Sequence, residues 1–178
     1  MRKAKLKLND DGSLEGKVEV TLTGHRGVSM KSRLEEQSDA KRKEDLEKQV
    51  KELHGEVELS NLSIENVTDP LKPFKYTYDL KVAGYAQRTG KRLFFQPSFF
   101  EHGKAALFAG KERKYPISFP YAYHESDVVE IELPEGFQLE NAEAPGNLKL
   151  GNIGEFQLQV GLKNNKVLTL QRDLIWGK

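Results

Sequence analysis

The sequence predicts a mostly β, α+β domain, an antiparallel β-sandwich with a two-helix insertion near its N-terminal third, with residues 1–178 forming one unit. Three observations carry that expectation. Alternating apolar and polar residues open the chain, a helical period replaces them between about 28 and 53, and short alternating segments punctuated by Pro, Gly and Asn run from Glu56 onward. Strands, then helices, then many closely spaced strands suit packed antiparallel layers better than a parallel sheet with crossover helices.

KAKLKL alternates Lys with Ala4, Leu6 and Leu8, and SLEGKVEVTLTG sets Leu14, Val18, Val20 and Leu22 against Glu15, Lys17, Glu19 and Thr21. Asp11-Gly12 supplies the turn, so residues 3 to 23 read as a hairpin. A chain opening inside a strand is expected to be a piece of a larger protein. MKSRLEEQSDAKRKEDLEKQVKELHG then brings strong helix formers without proline, giving helices at about 28 to 37 and 40 to 53. The second has a stripe of Leu46, Val50 and Leu53, a cap at Ser38 or Asp39, and an end at Gly55.

GEVELSNLSIENV reads as a kinked strand, and PFKYTYDLKVAGYA places Phe74, Tyr76, Tyr78, Leu80 and Val82 on one face. Pro97 confines RLFFQPSFF to an edge or a strand end, and residues 98 to 114 are expected to be a surface loop carrying a turn of helix. VVEIELP, FQLENA, NLKL, EFQLQVGL and KVLTLQRDLIW follow as short antiparallel strands, with Asn164-Asn165 between the last two.

Composition narrows the function. Hydrophobic residues make up 37% and charged residues 31% of 178, a polar chain with enough Val, Leu, Ile, Phe and Tyr to fold. A net charge of +1 supplies no overall field to draw nucleic acid or anionic lipid, so neither is an expected partner. Without cysteine the chain holds no disulfide, zinc–thiolate site or cysteine nucleophile of its own. No apolar run reaches the roughly 20 residues that span a bilayer, so no membrane insertion is expected, and MRKAKLKLNDDGS lacks the apolar segment of a signal peptide.

The densest stretch is YPISFPYAYHESDVVEIELPEG, residues 115–136. His124, Glu125 and Asp127 suggest a metal or acid–base cluster, but neighbours on a strand face opposite ways, and His25, His54 and His102 have no ligand spacing. The expectation is therefore a turn between strands, with no catalytic residue, metal or cofactor. Gly24-His25-Arg26-Gly27 lacks the glycine spacing and lysine of a phosphate loop and reads as a strand-to-helix turn.

Tyr115, Phe119, Tyr121 and Tyr123 are candidates for an aromatic platform that takes a peptide or a sugar. No basic residue lies between Lys114 and Lys149, where Glu125, Asp127, Glu130, Glu132, Glu135, Glu140 and Glu143 all fall, while residues 72 to 114 are strongly basic. Such a stripe either pairs across strands or forms an acidic docking edge. The candidate interaction surface is thus Tyr115, Phe119, Tyr121, Tyr123, Glu130 and Glu132.

One ordered set of segments carries a resemblance. The turn DDGSLEG, TLTG feeding a charged helical segment with Arg33-Leu34, the strand after Pro73, RKYPISFPYAYHE, VVEIELPEGFQLENAEAP and GEFQL resemble the C-terminal region of large bacterial proteins. Those proteins carry a transglutaminase-like, papain-fold core between an N-terminal domain and this C-terminal domain of unknown function. The resemblance covers nearly the whole chain and rests on turn residues such as Pro116, Pro134, Gly136 and Pro145. It implies a non-catalytic accessory domain that supports or positions the catalytic domain, has neighbouring domains of the parent chain as partners, and resides in the periplasm or cell envelope. The family's cysteine nucleophile, with its His and Asp, belongs to the central domain, so none of those roles carries over to a cysteine-free chain. The alternative is a stand-alone peptide- or carbohydrate-binding β-sandwich module.

Overall fold

A computed structural model describes residues 1–102, 104, 112, 116, 120–140 and 146–177. In order, the elements are β1 (Arg2–Leu8), β2 (Leu14–Leu22), α1 (Gly24–Leu34), α2 (Asp39–His54), β3 (Val57–Glu65), β4 (Phe74–Val82), β5 (Gln87–Thr89) and β6 (Arg92–Phe94). A 3-10 turn (Phe99–Glu101) precedes β7 (Tyr123–Glu132), β8 (Leu148–Leu150), β9 (Gly154–Lys163) and β10 (Val167–Trp176). Eight strands form one sheet in the order β3-β4-β2-β1-β7-β10-β9-β8, and β5 and β6 pair separately.

The mostly β, α+β class holds, with two helices laid against a large sheet. One pairing departs from the antiparallel expectation: β1 and β7 run parallel, Arg2 opposite Asp127 and Leu6 opposite Ile131. The free edge of β1 causes this. Its other edge is occupied by β2, its hairpin partner, so the strand arriving after the long crossover takes the remaining side. The sheet is therefore two four-stranded halves, drawn from residues 2–82 and 123–176, joined along one seam.

Local chemistry explains the turns. Asp11 accepts hydrogen bonds from the Ser13 amide and hydroxyl at 2.8 and 2.7 Å, fixing the β1–β2 turn. Asn164 and Asn165 both have φ of 52°, the left-handed pair that a tight hairpin requires. The kink expected in β3 is a register shift between Ser60 and Ser63, with Asn61 at φ 52°. Helix α1 begins at Gly24, earlier than the spacing predicts, because its first turn is polar and gives no apolar signal. Ser38 is the cap of α2, its hydroxyl accepting from the Lys41 amide at 3.3 Å, and Gly55 at φ 73° ends the helix.

The registers arrange one face of the sheet in rows. Across β2, β1, β7, β10 and β9, one row is Gly16, Leu6, Ile131, Leu168 and Leu162, and the next is Val18, Ala4, Val129, Leu170 and Val160. Most of these residues are buried and share a single core cluster. A side chain at Gly16 would place its Cβ 2.2 Å from the Lys5 carbonyl oxygen, so only glycine lets β1 and β2 approach so closely. Leu34 of α1 packs with Val67 and Phe74 in a satellite cluster at the β2–β4 end.

Three expectations are corrected. The turn of helix expected within residues 98 to 114 is present as Phe99–Glu101, but its start is not at the surface: Phe99 and Phe100 are buried, both rings driven against the sheet beside Asp127 and Val129, while residues 103, 105–111, 113 and 114 lie outside the described residues. FQLENA is not a strand over its described part; Pro134 to Glu140 leave the strand pairing, with the Phe137 amide donating to the Pro134 carbonyl at 3.2 Å, and Leu139 packs back on the core. Residues 124–127 are not a turn but lie inside β7, where ten consecutive residues pair with β10.

His54, at the end of α2, stacks on Phe99 with ring centroids 4.3 Å apart, and neither of its nitrogens has a hydrogen-bond partner. Burial, reinforced by His102, pushes its pKa down to about 4. Below its ordinary value of 6.5 the unfolded chain binds this proton more readily than the folded one, so stability falls as pH drops from about 6.5 toward 4. Thermal melts should show the wild type losing about 1 kcal/mol between neutral pH and about pH 5 through this residue, discounting for its partial exposure. His54→Phe should flatten that slope; an unchanged slope would remove His54 as its cause.

Candidate interaction surface

The third row of the sheet face is where the pattern breaks. Val20, Arg2, Asp127, Arg172 and Leu158 are register neighbours, so three charged residues stand where the rows above hold Ala, Val and Leu. Asp127 is 2% exposed and Arg172 9%. Arg2 grips Asp127 with two bonds, Nε to Oδ1 at 2.6 Å and Nη2 to Oδ2 at 2.7 Å, and also donates to Glu101 at 2.7 Å. Arg172 donates to Asp127 at 3.0 Å and to Glu125 at 3.1 Å. Arg26, in the first turn of α1, donates to the other oxygen of Glu125 at 2.6 Å. Lys104 adds an exposed bond to Glu101 at 2.9 Å.

Charge and burial balance within this network. Burial alone would raise the Glu125 carboxyl, but the Arg26 bond and the charges of Arg26, Arg2 and Arg172 outweigh it and hold the group below its usual range. Glu101 is likewise raised by burial and brought lower by its bonds to Lys104 and Arg2. On Arg2 desolvation opposes the charge, yet Asp127 and Glu101 more than compensate and raise the guanidinium further. Aromatic rings complete the setting: Arg2 lies 4.9 Å from the centre of Phe100, and Arg26 lies 4.9 Å from that of Tyr123. Each carboxylate is thus bonded to guanidinium partners, an arrangement that ties strands and helix together.

The residues singled out in the sequence separate on this frame. His124 points to the opposite face from Glu125 and Asp127 and bonds Asp173 at 3.0 Å, so the three do not converge. Among the described residues no group of three or more His, Asp or Glu is placed to hold a metal ion. Tyr123 and Tyr121 do come together with α1: Tyr121 stacks on His25 at 4.6 Å, and Arg26 covers Tyr123. Tyr115 and Phe119 lie outside the described residues. Glu130 and Glu132 stand on the other face of β7, opposite Lys5 and Lys7 of β1, and Glu132 pairs with Lys166 at 3.0 Å.

The acidic stripe therefore meets basic residues from both ends of the chain rather than from residues 72 to 114, except that Arg92 reaches Glu140 at 3.2 Å. Sequence reasoning missed Arg2, Arg26, Arg172 and Glu101. At the β8–β9 end, the same sheet face exposes Leu148 and Leu150, and Ile153 in the turn between these strands is exposed as well. That apolar patch borders Phe156, whose ring centre lies 5.8 Å from Arg172.

The C-terminal half of this sheet is where a family likeness falls. Residues 91–178 match a family model described as a Domain of Unknown Function with solved-structure structure, DUF3858. No curated protein and no solved structure matches the chain. The span matching DUF3858 contains β6 to β10 and contributes Glu101, Glu125, Asp127 and Arg172 to the charged row, whereas Arg2 and Arg26 reach it from outside. The network thus ties the matched span to the rest of the chain.

Proposed function

We propose that the chain is a non-catalytic accessory domain that supports or positions a transglutaminase-like catalytic domain of the same parent chain. The observation carrying the reading is the self-neutralised charged row. The most deeply buried charged groups described, Asp127 and Arg172, are bonded to each other in the seam rather than presented in a cleft. Exposed elsewhere are Tyr121, just before β7, and Leu148, Leu150 and Ile153 at the β8 edge of the sheet, apolar groups suited to contact with a neighbouring domain. Residues 91–178 match a domain of unknown function, as the ordered resemblance of segments implies for such a module. The transglutaminase-like parent and a periplasmic or envelope location rest on the ordered resemblance of turn and strand segments. No helix among the described residues is long and apolar enough to cross a membrane.

An antibody to this domain, used to capture the native gene product for mass spectrometry, tests the proposal. The expected product has a mass several times 20.2 kDa and yields peptides of a cysteine-containing, papain-fold domain. A product near 20.2 kDa would overturn the reading and favour a free-standing peptide- or carbohydrate-binding module.

A further inference from the structure

A cleft of about 740 Å³ opens on the core face of the sheet, away from the charged row. Val160 of β9 and Leu168 of β10 form its floor, β6 with Phe95 forms one wall, and the turn from Gly136 to Glu140 forms the other. Its size falls within the roughly 300–1,000 Å³ of ligand-binding clefts. The character of its walls is uneven in a useful way. Phe94, 55% exposed, and the half-buried Phe137 present apolar surface, while Lys91 and Arg92 stand at the mouth. The one carboxylate among the described lining residues, Glu140, is already paired with Arg92. The described lining residues thus carry one positive charge in excess, that of Lys91. Among the described residues β6 pairs only with β5, and β6 itself lines the cleft.

We infer that this cleft binds an extended peptide in which acidic residues alternate with aromatic or aliphatic ones. An extended segment laid along β6 would hydrogen-bond to backbone groups that no described strand pairs, in the manner of strand addition. Its apolar side chains would rest on Phe94, Phe137 and the partly buried Val160, and its carboxylates would meet Lys91, with Arg92 shared between the peptide and Glu140. Charge complementarity selects this occupant over a neutral sugar, which would make no use of the excess cation at Lys91. The inference goes beyond the accessory-domain reading and does not rest on it. A native product near 20.2 kDa would leave it standing, and its own failure would leave that reading intact.

Random peptides displayed on phage, panned against the whole chain and then synthesised for fluorescence anisotropy, provide the test. Enriched sequences should combine Asp or Glu with Phe, Leu, Ile or Val, and their binding should weaken as salt is raised. Phe94→Asp should weaken binding about tenfold or more, and Lys91→Glu combined with Arg92→Glu should do the same. These side chains are exposed, so circular dichroism should show a native fold; if Phe94→Asp is misfolded, Phe94→Ser replaces it. Failure to enrich any peptide, enriched peptides that bind Phe94→Asp or Phe94→Ser as well as the wild type, or a glycan bound in their place would each overturn the inference.

Discussion

Asp127→Ala will destabilise the folded chain by about 3 to 5 kcal/mol in urea unfolding, a large share of the total stability of a domain this size. The carboxylate is 2% exposed and receives bonds from both Arg2 and Arg172. Removing it leaves two guanidinium groups on the core face, Arg2 with Glu101 and Arg172 with Glu125 as their remaining partners. Neither glutamate moves into the space, because each is held from another direction by Lys104 or Arg26. Glu132→Ala is the control. Its partner Lys166 is a surface lysine, and the unfolding midpoint should scarcely move. Equal stability of the two variants would show that the charged row contributes nothing to the fold.

The rows of the sheet explain how much was legible beforehand. Ala4, Leu6 and Leu8, or Phe74 to Val82, announce their strands because each apolar residue sits at the alternate position that the core requires. Arg2 follows the same phase as Ala4, Asp127 that of Val129, and Arg172 that of Leu170, so each is a charge written into a buried position. That phase was a readable signal. It was obscured because Arg2 stands among lysines that face solvent, and because Asp127 sits beside His124 and Glu125 in what looks like a polar turn. The parallel neighbour of β1 was not legible at all. Nothing within residues 2–8 specifies a partner more than a hundred residues away; hairpin turns encode local pairings, and the seam is set only by which sheet edge remains open. The cleft was hidden for a related reason: Phe94 and Phe137 lie in segments read as strands, and their common boundary appears only once β9 and β10 are placed beneath them.

Expressed alone, residues 91–178 should fail to give a cooperatively unfolding domain, although they comprise the whole span that matches DUF3858. Four strands of the sheet lie within that span, enough in number for a stable unit. The obstacle is the identity of the missing neighbour. β7 would present its entire β1-facing edge to solvent, from the Asp127 position to Glu132, and an open edge of that length invites association. On the core face Val129 and Ile131 would lose Ala4 and Leu6, and Asp127 would lose the two-bond grip of Arg2 while remaining beside Arg172. Phe99 and Phe100 would lose much of the core they fill, since the cluster that buries them draws on Val18, Leu14 and Tyr78 from the other half. Calorimetry of the fragment should show no sharp transition, and its amide spectrum should lack the dispersion of the full chain. Adding residues 1–90 should restore both, because β1 supplies the seam and Arg2 completes the charged row. A sharp transition from the fragment alone would mean that the parallel seam joins two independent units, and that the row of ion pairs fastens them together instead of building one core.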